Sequence, residues 1–386
     1  MVFELWGHQF AWQFLYADDL RWTAWGDSKY RTLLQALIVW LLVGCPFSWH
    51  KVRGGLSMDW LGYHLDFCKF RVGISLQRSQ WLISWGEQIL LNGMVLVRHL
   101  ACGLGRIGFA SSVLHWIKPF MAPLYSWVAA APGGAVLTLP RMCRITLMWV
   151  VEQLKAGRHM IDCSHPRTEA GEVFRTDAKG AADRVVLGGW RSQGGVSTKE
   201  ADWFSLSISR EEAPWLFRET SRGVTSSPTI SAGELLATMM AVEVFPLAKG
   251  AQGGKVRLTG LTDNLGNSFI NQKNLTTKMP VAAVYMQLSL HLALHDLELA
   301  LDWTPRESNC EADALTNEDF SLFSMDRRIS VSLANLDLTL MLQLIDSWDE
   351  LAKDCAKRKA VALAAAGTPR GPRHKKKKKV ANQPWG

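Results

Sequence analysis

Four carboxylates in the second half of the chain stand where acids can share a ligand. Asp177 lies late in the apolar-alternating segment FRTDAKG, and Glu234 lies early in SAGELLATMMAVEVF. Asp263 ends KVRLTGLTD, and Asp313 sits in SNCEADALT. A cluster of acids with no Cys or His among them selects hard cations, Mg²⁺ or Mn²⁺. Two such ions held about 4 Å apart can activate a water on one side and stabilise a departing oxygen on the other, the route to phosphodiester hydrolysis. A second pair of acids, Asp18 and Asp19, stands in FLYADDLRW between the strand-favouring flanks Phe14, Leu15, Tyr16 and Leu20, Trp22. That pattern predicts a tight hairpin with two carboxylates at its tip. Like charges side by side repel, so such a pair calls for a cation.

The elements that must position these acids are legible from period and punctuation. EVFRTDA (172–178), RVVLGGW (184–190) and DWFSLSIS (202–209) predict three strands separated by turns. A helix from Ser231, a strand over 255–263 and helical segments over about 264–274 and 281–296 follow. LELALDW (297–303) alternates, with Leu297, Leu299, Leu301 and Trp303 on one face, and a short acidic helix begins near Asn309. This order predicts a mixed α/β layer fold. Acids at strand ends and helix starts in such a fold converge on one edge of the sheet. Each acid also has a structural alternative. Ser231-x-x-Glu234 is a capping box, Asp313 suits the positive end of its helix dipole, Asp263 can cap the next helix and Asp177 can serve a turn. Four acids in this order on these elements weigh against four coincidences.

The run TDAKG…ELLA…TDN…NCEADAL resembles the ribonuclease H domain of retroelement reverse transcriptases, over roughly residues 170–320. The resemblance implies that Asp177, Glu234, Asp263 and Asp313 bind two Mg²⁺ or Mn²⁺ ions, and that the domain cleaves the RNA strand of an RNA–DNA hybrid. It departs at one place. Many members carry a histidine in the loop before the final acid, where this chain reads WTPRESN, and Arg306 is the only cation nearby. YADD is similar to the polymerase motif of the same enzymes, which assigns Tyr16, Asp18 and Asp19 to it, with the two aspartates as metal ligands. Lys51 in SWHKV falls where the family has a lysine near the incoming triphosphate, and WLGYHLDF (60–67), with Gly62, resembles its primer-grip hairpin. GRIGFASSVLHWIKPFMAPLYSW (105–127) resembles the thumb and connection of long-terminal-repeat and tyrosine-recombinase retrotransposons.

The fold implied is an α+β palm remnant and helical thumb, followed by a ribonuclease H-like mixed five-stranded sheet with helices. Its expected parts are a partial palm with primer grip (1–90), thumb and connection (91–165), the ribonuclease H-like domain (166–320), a helical extension (321–352) and a basic tail (353–386). The family's polymerase also needs a third aspartate from an earlier strand, and fingers. Before Tyr16 this chain has one acid, Glu4. The expectation is therefore an N-terminally truncated element with a working ribonuclease H and a vestigial polymerase that makes no DNA. Residues 1–90 are expected to be the less stable part. Two alternatives stay open: an inactive nucleic-acid-binding remnant, and part of a full RNA-directed DNA polymerase whose upstream sequence lies elsewhere.

Composition bounds the remainder. With 386 residues, 48% hydrophobic and 20% charged, the chain has a globular rather than a disordered composition. Its net charge of +8 is local: residues 353–380 hold eleven Lys and Arg against one acid, Asp354, which leaves the rest slightly acidic. That tail suits phosphate contacts or a nuclear address, and equally a solubilising terminus. Seven scattered cysteines without a CxxC pair argue for free thiols in a reducing compartment. LLQALIVWLLVG, from Leu33, is too short for a bilayer and predicts a buried helix. No signal peptide is visible, so an intracellular protein without a membrane span is expected. His291-x-x-x-His295 has the spacing of a metal pair, but HLALH lacks the zinc-protease glutamate and shows no third ligand, which favours packing or surface histidines. The glycines of GLGRIG follow no clear strand, and the 18 tryptophans read as core before base-stacking platforms. Nothing in the sequence indicates an oligomeric state.

Overall fold

In the computed structural model the described residues are 3–8, 11–163, 167–168, 172–181, 183–217, 227–246 and 256–366. Contacts divide the chain between Cys68 and Lys69 into two compact units. In the first, β1 (Phe3–His8), β2 (Ala11–Tyr16) and β3 (Asp19–Ala24) form an antiparallel meander. Tyr16 pairs with Asp19, so the β2–β3 turn is the two residues Ala17 and Asp18, with Ala17 at φ 52°. Helix α1 (Lys29–Leu42) is pinned to this hairpin through Gln13, whose side-chain oxygen accepts from Nε1 of Trp22 at 2.6 Å and of Trp40 at 3.0 Å. The apolar run from Leu33 is therefore helical as expected, but it is not buried: no residue of α1 is buried, and Leu42 is 81% exposed. The reason is size. A unit of fewer than 70 residues offers α1 one sheet face and cannot surround it. A second hairpin pairs β4 (Ser57–Trp60) with β5 (Tyr63–Asp66) through Leu61 and Gly62, both at positive φ.

The second unit opens with β6 (Arg71–Gly73) and a helical layer: α2 (Leu76–Asn92), β7 (Met94–Leu96), α3 (Val97–Ala110), α4 (Lys118–Ala130), β8 (Val136–Thr138) and α5 (Arg141–Lys155). Proline and glycine at 132–134 break the helical layer, and β7 and β8 pair beside that break. Ser75 caps α2 by accepting from the Arg78 amide, and Gly93 ends it in the left-handed region, so both ends carry the expected signals. β9 (Met160–Asp162) pairs with β6.

A mixed sheet follows. β10 (Arg167–Thr168) is a two-residue strand beside the start of β14 (Val256–Thr262). β11 (Phe174–Gly180), β12 (Arg184–Trp190) and β13 (Trp203–Ser209) form an antiparallel meander, and β14 lies parallel to both β11 and β15 (Leu297–Trp303). The five longer strands thus run in the order β13-β12-β11-β14-β15. This is the mixed α/β sheet with helices that the alternation predicts. α6 (Ser227–Val244) packs on β11 and β12, α7 (Leu265–Lys273) and α8 (Val281–Leu294) pack on β15, and α9 (Cys310–Thr316) lies across β11, β12 and β13.

Helix α6 begins a turn earlier than the sequence suggests, so Ser231 lies inside it and is not a cap. The last helix, α10 (Thr339–Ala366), begins inside the expected helical extension (321–352) and continues past its end, carrying Lys353, Lys357, Arg358 and Lys359. The remainder of the expected tail lies outside the described residues. α10 packs on α4, α5 and α8, and one apolar core joins Ile74 of the helical layer to Leu351 of α10 through the sheet. All seven cysteines are free, and no helix among the described residues is long and apolar enough to cross a membrane.

Candidate active site

Parallel register places two of the acids side by side. Arg175 of β11 is level with Leu261 of β14, so two residues further on Asp177 comes level with Asp263, just past the end of β14. The third acid comes from α6. At Gly233 a side-chain carbon would lie 3.0 Å from Cγ1 of Val185 and 3.2 Å from Cβ of Ala178. Glycine there lets the helix lie close to the sheet and brings the next residue, Glu234, to its edge. Asp177, Glu234 and Asp263 each place an oxygen within 4.8 Å of the others. Asp177 and Glu234 are 6% and 5% exposed, and Asp263 is half-buried.

Two of the three carboxylates are held by hydrogen bonds from neighbours. Glu234 accepts from Oγ1 of Thr262 and from Nδ2 of Asn264, both at 3.0 Å. Asn264 also caps α7, its side chain accepting from the Asn267 amide at 3.1 Å, so Asp263 is left free of the capping role. Asp177 accepts from Oγ1 of Thr316 at 3.0 Å. Thr316 reaches it because α9 presses onto Gly188, the β12 partner of Asp177; a side-chain carbon at Gly188 would stand 2.9 Å from Cβ of Leu315.

The electrostatics follow from crowding acids into a buried edge. Burial pushes Glu234 up to about 8, Asp177 and Asp263 add to the rise, and the Asn264 and Thr262 hydrogen bonds oppose it. Burial, then the charge of Asp263, pushes Asp177 up to about 6 against the Thr316 hydroxyl. Asp263 is also raised by burial, with Arg306 opposing. A cluster with these properties holds either a proton or a cation. Its donor set is oxygen alone, which fits a hard divalent ion such as Mg²⁺ or Mn²⁺ and not a thiophilic one.

The fourth acid stands apart from this trio. Asp313, in the first turn of α9, accepts from Nη2 of Arg306 and from Nδ2 of Asn317, both at 2.8 Å. Its charge still reaches the others, since it raises both Asp177 and Asp263. Arg306, in the short turn before α9, is itself raised above its usual range, chiefly by its hydrogen bond to Asp313. A guanidinium thus sits on the fourth acid from the loop that has no histidine.

The polymerase-like residues lie in the other unit. Asp18 and Asp19 are exposed at the β2–β3 tip beside exposed Tyr16, Lys51 is exposed in a short turn, and Gly62 is in the β4–β5 turn. Among the described residues, neither aspartate belongs to a group of three metal-ligating side chains. The residues that sequence reading missed are Thr262, Asn264, Thr316 and Gly188. Only Asn264 carried a local signal, as an N-cap type directly after Asp263 at a predicted helix start.

Solved structures similar to this chain include three foamy viral complexes. The foamy viral protease-reverse transcriptase in complex with RNA/DNA hybrid aligns at 14% identity and a TM-score of 0.33, covering 75% of this chain and 35% of that one. The foamy viral protease-reverse transcriptase dRH in complex with double-stranded DNA aligns at 14% identity and 0.32, covering 75% and 46%. A further foamy viral complex with double-stranded DNA aligns at 12% identity and 0.31, covering 76% and 55%. The chain therefore spans between about a third and about half of the length of these proteins. No family model matches the chain, and no curated protein matches it by sequence.

Proposed function

We propose that this protein is a metal-dependent nuclease that cleaves the RNA strand of RNA–DNA hybrids, joined to a vestigial reverse-transcriptase palm. One observation carries the reading: Asp177, Glu234 and Asp263 converge from two parallel strands and a helix, and burial raises all three. These residues, with Asp313 at the rim, would hold Mg²⁺ or Mn²⁺. When bound, such ions activate the attacking water and stabilise the departing 3′ oxygen. Thr262 and Asn264 orient Glu234, Thr316 orients Asp177, and Arg306 holds Asp313, which a cation bound there would have to share with it. The hybrid would be recognised by its shape and its 2′-hydroxyls.

The test is cleavage of a labelled RNA–DNA hybrid by the full chain with Mg²⁺. Asp263→Asn is expected to lower the rate by at least about a hundredfold, as for loss of a ligand that positions charge in the transition state. Equal rates for both proteins would overturn the assignment. The Arg306–Asp313 pair favours one other reading, a binding protein whose fourth ligand is permanently occupied. That reading predicts hybrid binding with no cleavage, and no gain in cleavage from Arg306→Ala, whereas the nuclease reading predicts cleavage at lower Mg²⁺ in that variant.

A further inference from the structure

Outside the acidic cluster, one other group of side chains has the chemistry of a metal site. His291 and His295 lie one turn apart at the end of α8, with ring centroids 4.5 Å apart. The sequence shows no third ligand near them, but the fold supplies one. α6 and α8 pack together, and Glu243, in the last turn of α6, brings Oε2 to 3.4 Å from Nε2 of His291. One ligand atom from each of the three lies within 4.8 Å of the others.

We propose that Glu243, His291 and His295 form a second metal site, for a borderline ion such as Zn²⁺, that clasps the C-terminal ends of α6 and α8. Two imidazoles and one carboxylate are the ligand trio of many zinc sites, with water completing the tetrahedron. Imidazole nitrogen disfavours Mg²⁺, so the two sites of this molecule select different ions. The surroundings suit a cation. α6 ends at Val244 and α8 at Leu294, so the partial negative ends of two helix dipoles meet here. Asp337 adds a further acid near His291; its carboxyl is held below the usual range mainly by Thr339, with His291 contributing. A nearby cation, Arg158, directs Nη1 to the Ala293 carbonyl at 3.5 Å.

The two sites are separate. Glu243 follows Glu234 by nine residues on α6, which at ~1.5 Å per residue is about 13 Å along the helix. A metal at the helix ends therefore holds α6 against α8 without entering the acidic cluster. Its consequence is stability of the helix pair rather than chemistry, and it stands whether or not the nuclease reading does.

The experiment is a Zn²⁺ titration of the full chain in millimolar Mg²⁺, which keeps the acidic cluster supplied, read by melting temperature and by calorimetric stoichiometry. The expected result is one Zn²⁺ per chain with a rise of several degrees. His295→Ala should weaken binding at least about tenfold, and Glu243→Gln should do the same, while Asp263→Asn leaves it unchanged. His295 is exposed, so its removal spares the core. Cu²⁺ added as a spectroscopic probe should show imidazole nitrogen coupling that His295→Ala diminishes. No stabilisation by Zn²⁺, or stabilisation that persists in His295→Ala, overturns the proposal.

Discussion

Glu234 sits with its carboxylate between Thr262 and Asn264, two donors that favour its ionised form, and burial beside two aspartates still outweighs them. Its folded pKa of about 8 lies above the value in an unfolded chain, so between the ordinary glutamate range and 8 the folded state keeps a proton that the unfolded state has lost. Without divalent metal, stability is therefore highest in mild acid and falls as pH rises through that window. Asp177, raised to about 6, acts in the same sense over a narrower range. The melting temperature of EDTA-treated protein should drop by ~5 °C or more between about pH 5 and pH 8. Mg²⁺ should restore more stability at the upper end of that window than at the lower, and Glu234→Gln should flatten the profile. A Mg²⁺ effect independent of pH would contradict this account of the cluster. Asn264 serves the site and the start of α7 together, so Asn264→Ala should cost about 1–3 kcal/mol in denaturant unfolding, more than a simple cap.

Among the elements, α9 is the one whose seating decides the site. It is only Cys310–Thr316, too short to form alone, and it is placed by Leu315 and Ala312 in a small core with Trp190, Trp203 and Phe323. Gly188 makes room for it. Gly188→Ala would put a methyl 2.9 Å from Cβ of Leu315 and 3.0 Å from Cγ2 of Thr316. That change should cost about 1–3 kcal/mol through overpacking and, by moving Thr316 off Asp177, should raise the Mg²⁺ needed for half-maximal stabilisation. A variant that melts lower with unchanged Mg²⁺ dependence would separate α9 from the site. The β2–β3 hairpin offers a contrast. Its carboxylates are exposed at a tip and, among the described residues, lack a third acid within ligand distance. Primer extension on an RNA template with dNTPs and Mg²⁺ should therefore give no product; incorporation that Asp18→Asn abolishes would refute this.

At the scale of the molecule, the sheet does not stand by itself. Among the described residues of 69–366 one large core, beside the small one under α9, joins the helical layer to the sheet, and in it α10 returns to α4, α5 and α8. Nε1 of buried Trp127 donates to Oδ2 of Asp354 at 2.9 Å, and Arg358 donates to the same oxygen at 2.7 Å. The amide of Met341 donates to Oε1 of buried Gln287 at 3.0 Å. A fragment limited to 166–320 would leave the α8 face and Gln287 uncovered, at a cost of several kcal/mol. It should bind a hydrophobic dye and melt without a sharp transition, whereas residues 69–386 should melt cooperatively. A cooperative transition in the short fragment would show that the helical layer is dispensable.

The strands and the order of the acids were legible because both are local. Alternation in LELALDW and VRLTGLT marks β15 and β14 without reference to any neighbour. Even the early start of α6 had a local mark: Pro228 suits a first turn, where its missing N–H leaves no bond unmade, and the capping-box pattern at Ser231 competed with it. Four facts depended on the tertiary structure. Thr316 reaches Asp177 from 139 residues away because α9 crosses Gly188, and Glu243 joins His291 because α6 and α8 end together. Arg306 sits on Asp313, and α1 stays exposed because its unit is too small to cover it. The sequence determined which residues could bind a cation; packing and strand register decided which of them meet, because neither leaves a trace in the order of neighbouring residues.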